Sequence, residues 1–161
     1  MHRVEQFIGH LRARVEDDEV QRAHRLLGPS AARLFDAMPV ADRRHALDVV
    51  HRLTTGGHDD PELLAAALLH DCAKGHDLRL WHRVAGVLGE RFAPGLLRRL
   101  ALGRPGSWRY PFHLYLHHEA LSADAAAAAG CSPRIVAFIR GTAGGADASL
   151  SAAFKAADEA S

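Results

Sequence analysis

His70 and Asp71 stand side by side at the end of the apolar run Leu63-Leu64-Ala65-Ala66-Ala67-Leu68-Leu69, and Lys74 follows three residues after Asp71. A stretch this apolar belongs in a core. An imidazole, a carboxylate and an ammonium there are costly unless each finds a partner. A divalent metal held by His and Asp, with Lys placed to meet a phosphate, would satisfy all three. Two distant residues offer matching ligands, His45 upstream and Asp158 downstream. Two imidazoles with two carboxylates suit Fe, Mn, Co, Ni or Zn better than Ca. Taken singly, each residue has a blander role. A lone His at a helix edge is usually a hydrogen-bonded structural group, a late Asp is usually solvated, and a Lys near a helix end complements the dipole. The combination carries the argument.

The elements that must position these residues read as helices throughout. β-branched residues are sparse, alternation is not sustained, and Ala, Leu and Arg dominate. The pattern predicts an all-α fold. A first helix is expected over about 3–16 (Val4, Phe7, Ile8, Leu11, Val15) and a second over about 18–27, stopped by Gly28-Pro29. A short third helix capped by Ser30 should carry Leu34, Phe35 and Met38. A fourth runs from an Asp42 cap to about Thr54, with Ala46, Leu47, Val49, Val50 and Leu53 as its core stripe and His45 at the stripe's edge.

Asp60-Pro61 starts the fifth helix. Continued to a stop at Gly75, it would set His70 and Lys74 on one face, with Asp71 about 100° round. Residues 78–90 and 92–102 suggest two further helices around Trp81, Val84, Val87, Leu88, Phe92, Leu96, Leu97 and Leu100. A long helix from about Pro111 to Ala129 carries His113, Leu114, His117, His118 and Leu121. Ser132-Pro133 restarts a helix to about Arg140, and 141–147 reads as a flexible loop. The last helix, about 148–159, holds Leu150, Phe154, Ala157 and Asp158.

Bulk properties exclude several classes. The chain has 161 residues, enough for one domain with a real core, and its net charge of +1 makes no case for a nucleic-acid or membrane partner. The expected arrangement is a single domain over 1–161, with packing helices over 1–40 and the functional core over 41–161. Two distant cysteines, Cys72 and Cys131, build neither a disulfide framework nor a CxxC zinc site. Cys72 reads as a small buried hydrophobe rather than a ligand. The N-terminus lacks the apolar core of a signal peptide, and the longest apolar runs are too short to span a bilayer, so a cytoplasmic location is expected.

The order and spacing of these residues resemble the HD-domain superfamily of metal-dependent phosphohydrolases, whose pattern is H…HD…D. His45, His70-Asp71 and Asp158 supply that pattern. The run from Asp42 to Leu47 resembles the first ligand helix, and the run from Ala66 to Lys74 resembles the AALLHDxxK segment. His118 to Ala123 resembles HxxxGA with Ser122 in place of Gly, and Ala156-Ala157-Asp158 resembles the closing AD. The resemblance covers roughly 40–159. It implies a compact helical bundle with His45, His70, Asp71 and Asp158 around a divalent transition metal. It also implies hydrolysis of a small phosphorylated molecule, a nucleotide or dinucleotide, by metal-activated water. Asp71 would orient the water, and Lys74 would neutralise phosphate charge. His118 would either donate to a phosphate oxygen or ligate a second metal.

One departure is specific. The two-metal branch carries a further His after His118, and here Gly141 and Thr142 stand in its place. The resemblance therefore implies one tightly held metal and at most a weak second one. It leaves open an alternative, a domain that binds metal and a phosphorylated ligand as a sensor or scaffold without turnover. Other residues have two readings each. His113 and His117 could imitate a metal pair but are better read as packing beside the site. His76 and Asp77 either border the pocket or are solvated in a turn. Arg79, Arg83, Arg104 and Arg109 are candidate phosphate contacts. Trp108 and Tyr110 could stack on a base, and Trp81 is expected in the core. Oligomeric state is not readable.

Overall fold

Caps, prolines and glycines divide the chain much as their chemistry dictates. The computed structural model describes residues 14–75, 80–101 and 103–161, without the side chains of Leu80 and Arg83. Among these residues there are nine α-helices, one 3-10 turn and no strand. The helices are α1 Asp17–Leu26, α2 Pro29–Asp36, α3 Val40–Thr55, α4 Pro61–Leu69, α5 Leu80–Phe92, α6 Pro94–Leu100, α7 Tyr110–Ala128, α8 Pro133–Ile139 and α9 Ala148–Glu159. The 3-10 turn, Gly145–Asp147, precedes α9. The all-α expectation holds. Most of the expected first helix, and also His76, Asp77 and Arg79, lie outside the described residues.

Helix α4 is the centre. Asp60 caps it by accepting the Glu62 and Leu63 N–H groups, both at 3.0 Å, with Pro61 in the first turn. Every residue from Leu63 to Leu69 is buried, as a helix apolar all round must be. Helix α3 packs on it from one side and α8 from another, α7 lies on α8, and α9 returns against α3. Phe35 and Met38, from α2 and just beyond it, join the same core as Val49, Leu53, Phe138 and Phe154. Each buried leucine of α4 contributes roughly 2 kcal/mol by area, an upper figure because unfolded chains already bury some surface.

Several expectations need correction. Gly28, not Ser30, caps α2. Helix α3 begins at Val40 with Pro39 as its cap, so Asp42 sits inside the first turn and is buried. Helix α4 ends at Leu69, not Gly75. Cys72 N–H bonds Leu69 O and Lys74 N–H bonds Asp71 O, tight turns in place of the α ladder. The Ala73 N–H goes instead to Ser122 Oγ on α7, at 3.1 Å. His70 and Lys74 therefore do not share a helical face. The loop after α8 is also tied down, because Arg134 holds Asp147 with two bonds of 2.9 and 2.8 Å.

Helices α5 and α6 form where the apolar spacing suggested them, but Trp81, expected in the core, is exposed. Val84, Val87, Leu88, Phe92 and Leu96 are exposed with it, and Leu97 is buried. Spacing sets which residues share a face, and here that face turns outward. No helix is long and apolar enough to cross a membrane among the described residues.

Candidate metal centre

His45 comes from the second turn of α3, His70 caps the C-terminal end of α4, and Asp158 lies in the last turn of α9. Their ligand atoms all lie within 4.8 Å of one another. His45 Nε2 is 2.9 Å from Asp158 Oδ1, and His70 Nε2 is 3.2 Å from the same oxygen. Donors about 2.1 Å from an ion and at right angles around it lie about 3 Å apart, so these spacings suit one shared cation. Among the described residues this is the one cluster of three or more such groups.

Asp71 adjoins the cluster. It is 1% exposed, its Oδ2 lies 3.5 Å from His70 Nε2, and that oxygen pairs with Lys74 Nζ at 2.5 Å. His118, from α7, points its Nε2 at the other oxygen from 3.8 Å. All six residues singled out in the sequence therefore meet in one region. Asp71 stands beside the three-ligand set rather than within it.

Two backbone bonds orient the imidazoles. His70 Nδ1 is 2.9 Å from Ala67 O, and His118 Nδ1 is 2.9 Å from Tyr115 O. With Nδ1–H donating to a carbonyl, Nε2 is the atom offered to the centre, the usual outer arrangement of a ligating His. Two buried atoms at the centre, His70 Nε2 and Asp71 Oδ1, have no hydrogen-bond partner. Orphaned buried groups of this kind call for a partner, and a divalent cation or the water beside it fits both.

The electrostatics agree. Burial works against a charged His70, but Asp71 and Asp158 outweigh it and raise its pKa to about 9. Burial would raise Asp71, yet His70, Lys74 and His118 hold it far below the usual carboxylate range. Asp158 is likewise held down, against burial, by His45 and His70. Burial and the Lys74 charge together depress His118. Positive charge from the surrounding side chains thus keeps both carboxylates ionised, the form in which they can act as ligands.

A cleft of about 550 Å³ opens on this centre at His70, His118 and Asp158. Phe138, Ile139 and Phe154 give it an apolar wall, and Arg140 and Lys155 stand at its edge. Sequence reasoning missed both cations as site residues. Lys155 was findable, since it precedes Asp158 by three on one helix and so shares its face. A second cleft, about 480 Å³, lies between α1, α3 and α4, away from this chemistry. Its Arg44 is already neutralised by Glu19 and Asp48.

The remaining candidates do not converge on the centre. Cys72 turns its thiol toward Ser122 O, 3.9 Å away, and burial raises its pKa to about 11, far from a thiolate. His113 and His117 face each other with ring centroids 4.6 Å apart, and Tyr110 stacks on His113. Arg109 spends its guanidinium on the Leu100 and Arg99 carbonyls, and Arg104 is exposed. Thr142 is exposed, with its hydroxyl 3.4 Å from Ala137 O. Comparison of the chain with protein-family models, with curated proteins and with solved structures found no match.

Proposed function

We propose that this chain is a metal-dependent phosphohydrolase of the HD-domain type, acting on a small phosphate ester such as a nucleotide or dinucleotide. The observation that carries the reading is the meeting of His45, His70 and Asp158, from three helices, beside the buried pair Asp71–Lys74 and two orphaned polar atoms. His45, His70 and Asp158 would hold the ion, with Asp71 within reach of it. Bound there, a divalent transition metal supplies Lewis acidity and lowers the pKa of water toward neutrality.

The side chains supply the rest. Asp71 Oδ1, lacking a protein partner, is free to accept a hydrogen bond from the attacking water and so orient it. Lys74 Nζ holds Asp71 Oδ2 and places positive charge where a phosphoryl group gains negative charge. Arg140, paired with Asp124, and Lys155, 4.0 Å from Glu159, also line the cleft, and a phosphate there would compete with those carboxylates for them. The His118 Nδ1–H bond to Tyr115 leaves an Nε2 lone pair. That geometry favours accepting a proton or ligating over donating to phosphate.

A second reading, binding without turnover, draws support from Gly141 and Thr142, which put no imidazole beside His118 to complete a second metal site. One experiment separates the two. Metal content is measured after loading with Mn, Co, Ni, Fe or Zn, and phosphate release is followed from a panel of nucleoside mono- and polyphosphates. The enzyme reading expects turnover that Asp71→Ala lowers by about 10²-fold or more. Nucleotide binding without turnover under every metal supports the sensor. A chain that retains no ion after loading excludes both.

A further inference from the structure

Helix α5 is built inside out. Gly86 and Gly89 lie on its packed side. A Cβ at Gly86 would stand 2.7 Å from the Tyr115 ring on α7, and one at Gly89 would stand 3.3 Å from Leu97 on α6. His82, one turn before Gly86, is buried on that side too. The large apolar residues take the other side. Trp81, Val84, Leu88 and Phe92 recur at spacings of three and four, so they form one stripe. All four are exposed, Trp81 at 55% and Phe92 at 77%. Leu96 on α6 and Trp108 beyond it are exposed as well. Both tryptophans of the chain are therefore largely in solvent. Monomeric proteins seldom present such a stripe without a partner for it.

Positive charge gathers in the same stretch. Residues 80–109 contain six arginines and one acidic residue, a surplus of five in a chain whose total is +1. The rest of the protein is correspondingly acidic. Among the described residues, Arg91, Arg98, Arg99 and Arg104 make no ion pair. Arg91 lies over the Phe92 ring, 5.8 Å from its centroid, and Arg98 bonds only a carbonyl of its own helix. The single acid, Glu90, accepts the Tyr115 hydroxyl.

We infer that the outward face of α5 and α6 docks on the surface of an anionic lipid bilayer, its apolar stripe entering the headgroup boundary and its arginines meeting lipid phosphates. Tryptophan and arginine beside aliphatic residues is the composition of helices that lie in this interface. A nucleic acid would satisfy the arginines but leave Val84 and Leu88 unburied, since its affinity comes from phosphates and stacked bases. A second copy would bury the stripe, but two-fold pairing of this face would set arginines against arginines. The face is separate from the cleft at His70 and His118, so the inference stands apart from the proposed catalysis.

The test uses the purified full chain with vesicles of equal parts phosphatidylglycerol and phosphatidylcholine, and with phosphatidylcholine alone. Expected are sedimentation with the anionic vesicles only, a blue shift of tryptophan emission on binding, and release by high salt. The double variant Leu88→Glu/Phe92→Glu should keep its helical circular dichroism and lose at least about tenfold in binding. Arg98→Ala and Arg99→Ala should each weaken it about fivefold. Equal binding to both vesicle types, or none at low salt, overturns the inference. So does an oligomer that Phe92→Glu dissolves while vesicles go unbound, or DNA binding in place of vesicle binding that Arg98→Ala weakens and Phe92→Glu leaves unchanged.

Discussion

Ser122 shows how one hydroxyl can decide the shape of the centre. It is fully buried on α7, accepts the Ala73 N–H, and presents its carbonyl to the Cys72 thiol. The turn carrying Asp71 and Lys74 thus hangs from α7 as well as from α4. In the sequence, Ser122 is legible only as a departure from a glycine pattern, since nothing local tells that its partner lies 49 residues away. Ser122→Ala should leave the Ala73 N–H unpaired and cost about 1–3 kcal/mol. If the turn positions Asp71 for the ion, metal affinity measured against a competing chelator should also fall, by about 10–100-fold. Ser122→Thr, which keeps the oxygen, should retain most of that affinity. Lower stability with unchanged affinity would confine Ser122 to a packing role. The cluster of candidate ligands was more legible. His45 sits at the edge of an apolar stripe and His70-Asp71 closes another, and ionisable groups in such places stand out because burial penalises them.

At the level of elements, the caps and breaks at Asp60-Pro61, Gly130 and Ser132 were readable because they rest on local chemistry, while the expected caps Ser30 and Asp42 lie inside their helices. Two further features were not readable. The end of α4 is set by a hydroxyl from another helix, which outcompetes a local pattern that would carry the helix on to Gly75. The exposure of Trp81 was not readable either, because periodicity says which residues share a face, not which face turns inward. The two glycines of α5 carried the missing signal, marking the side of close approach. Gly86→Ala should therefore clash with Tyr115 and cost about 1–3 kcal/mol, read as a lower urea midpoint.

Arg134 joins three elements. It bonds Asp60 and Glu62 at the start of α4, and Asp147 ahead of α9. Asp147 is lowered chiefly by Arg134, Glu62 by Ser132 and then Arg134, and Asp60 by the Leu63 N–H and Arg134 against a larger opposing effect of burial. Carboxyls depressed in the folded state stabilise it above their unfolded pKa, and that support is lost as pH falls through the folded values. Thermal midpoints should thus fall on acidification below about pH 4. Arg134→Ala should lower the neutral-pH midpoint and flatten that acid limb. An unchanged limb would count against the cluster as a link between α4, α8 and α9.

For the whole molecule, the total charge is a sum over unlike parts. A total of +1 combines a surplus of five over residues 80–109 with a deficit of four elsewhere, so the expectation of no membrane partner, drawn from the sum, is put to the test by the vesicle experiment. Ion binding should also register globally. A cation at about 100 times its dissociation constant adds about 2.7 kcal/mol to folding, or about 5–10 °C in Tm for a chain of this size. Chelator should remove that increment from wild type, and His70→Ala should abolish the response. An unresponsive wild type would argue against any ion at this centre.

His45 and Asp158 touch across 113 residues of chain, and Phe154 and Lys155 of the cleft belong to the same helix as Asp158. A ribosome exposes the first imidazoles long before that helix is translated. Until it emerges the cleft lacks one side, and the two histidines lack the carboxylate between them. Any ligand that needs all sides of this cleft is therefore met only after α9 has been made.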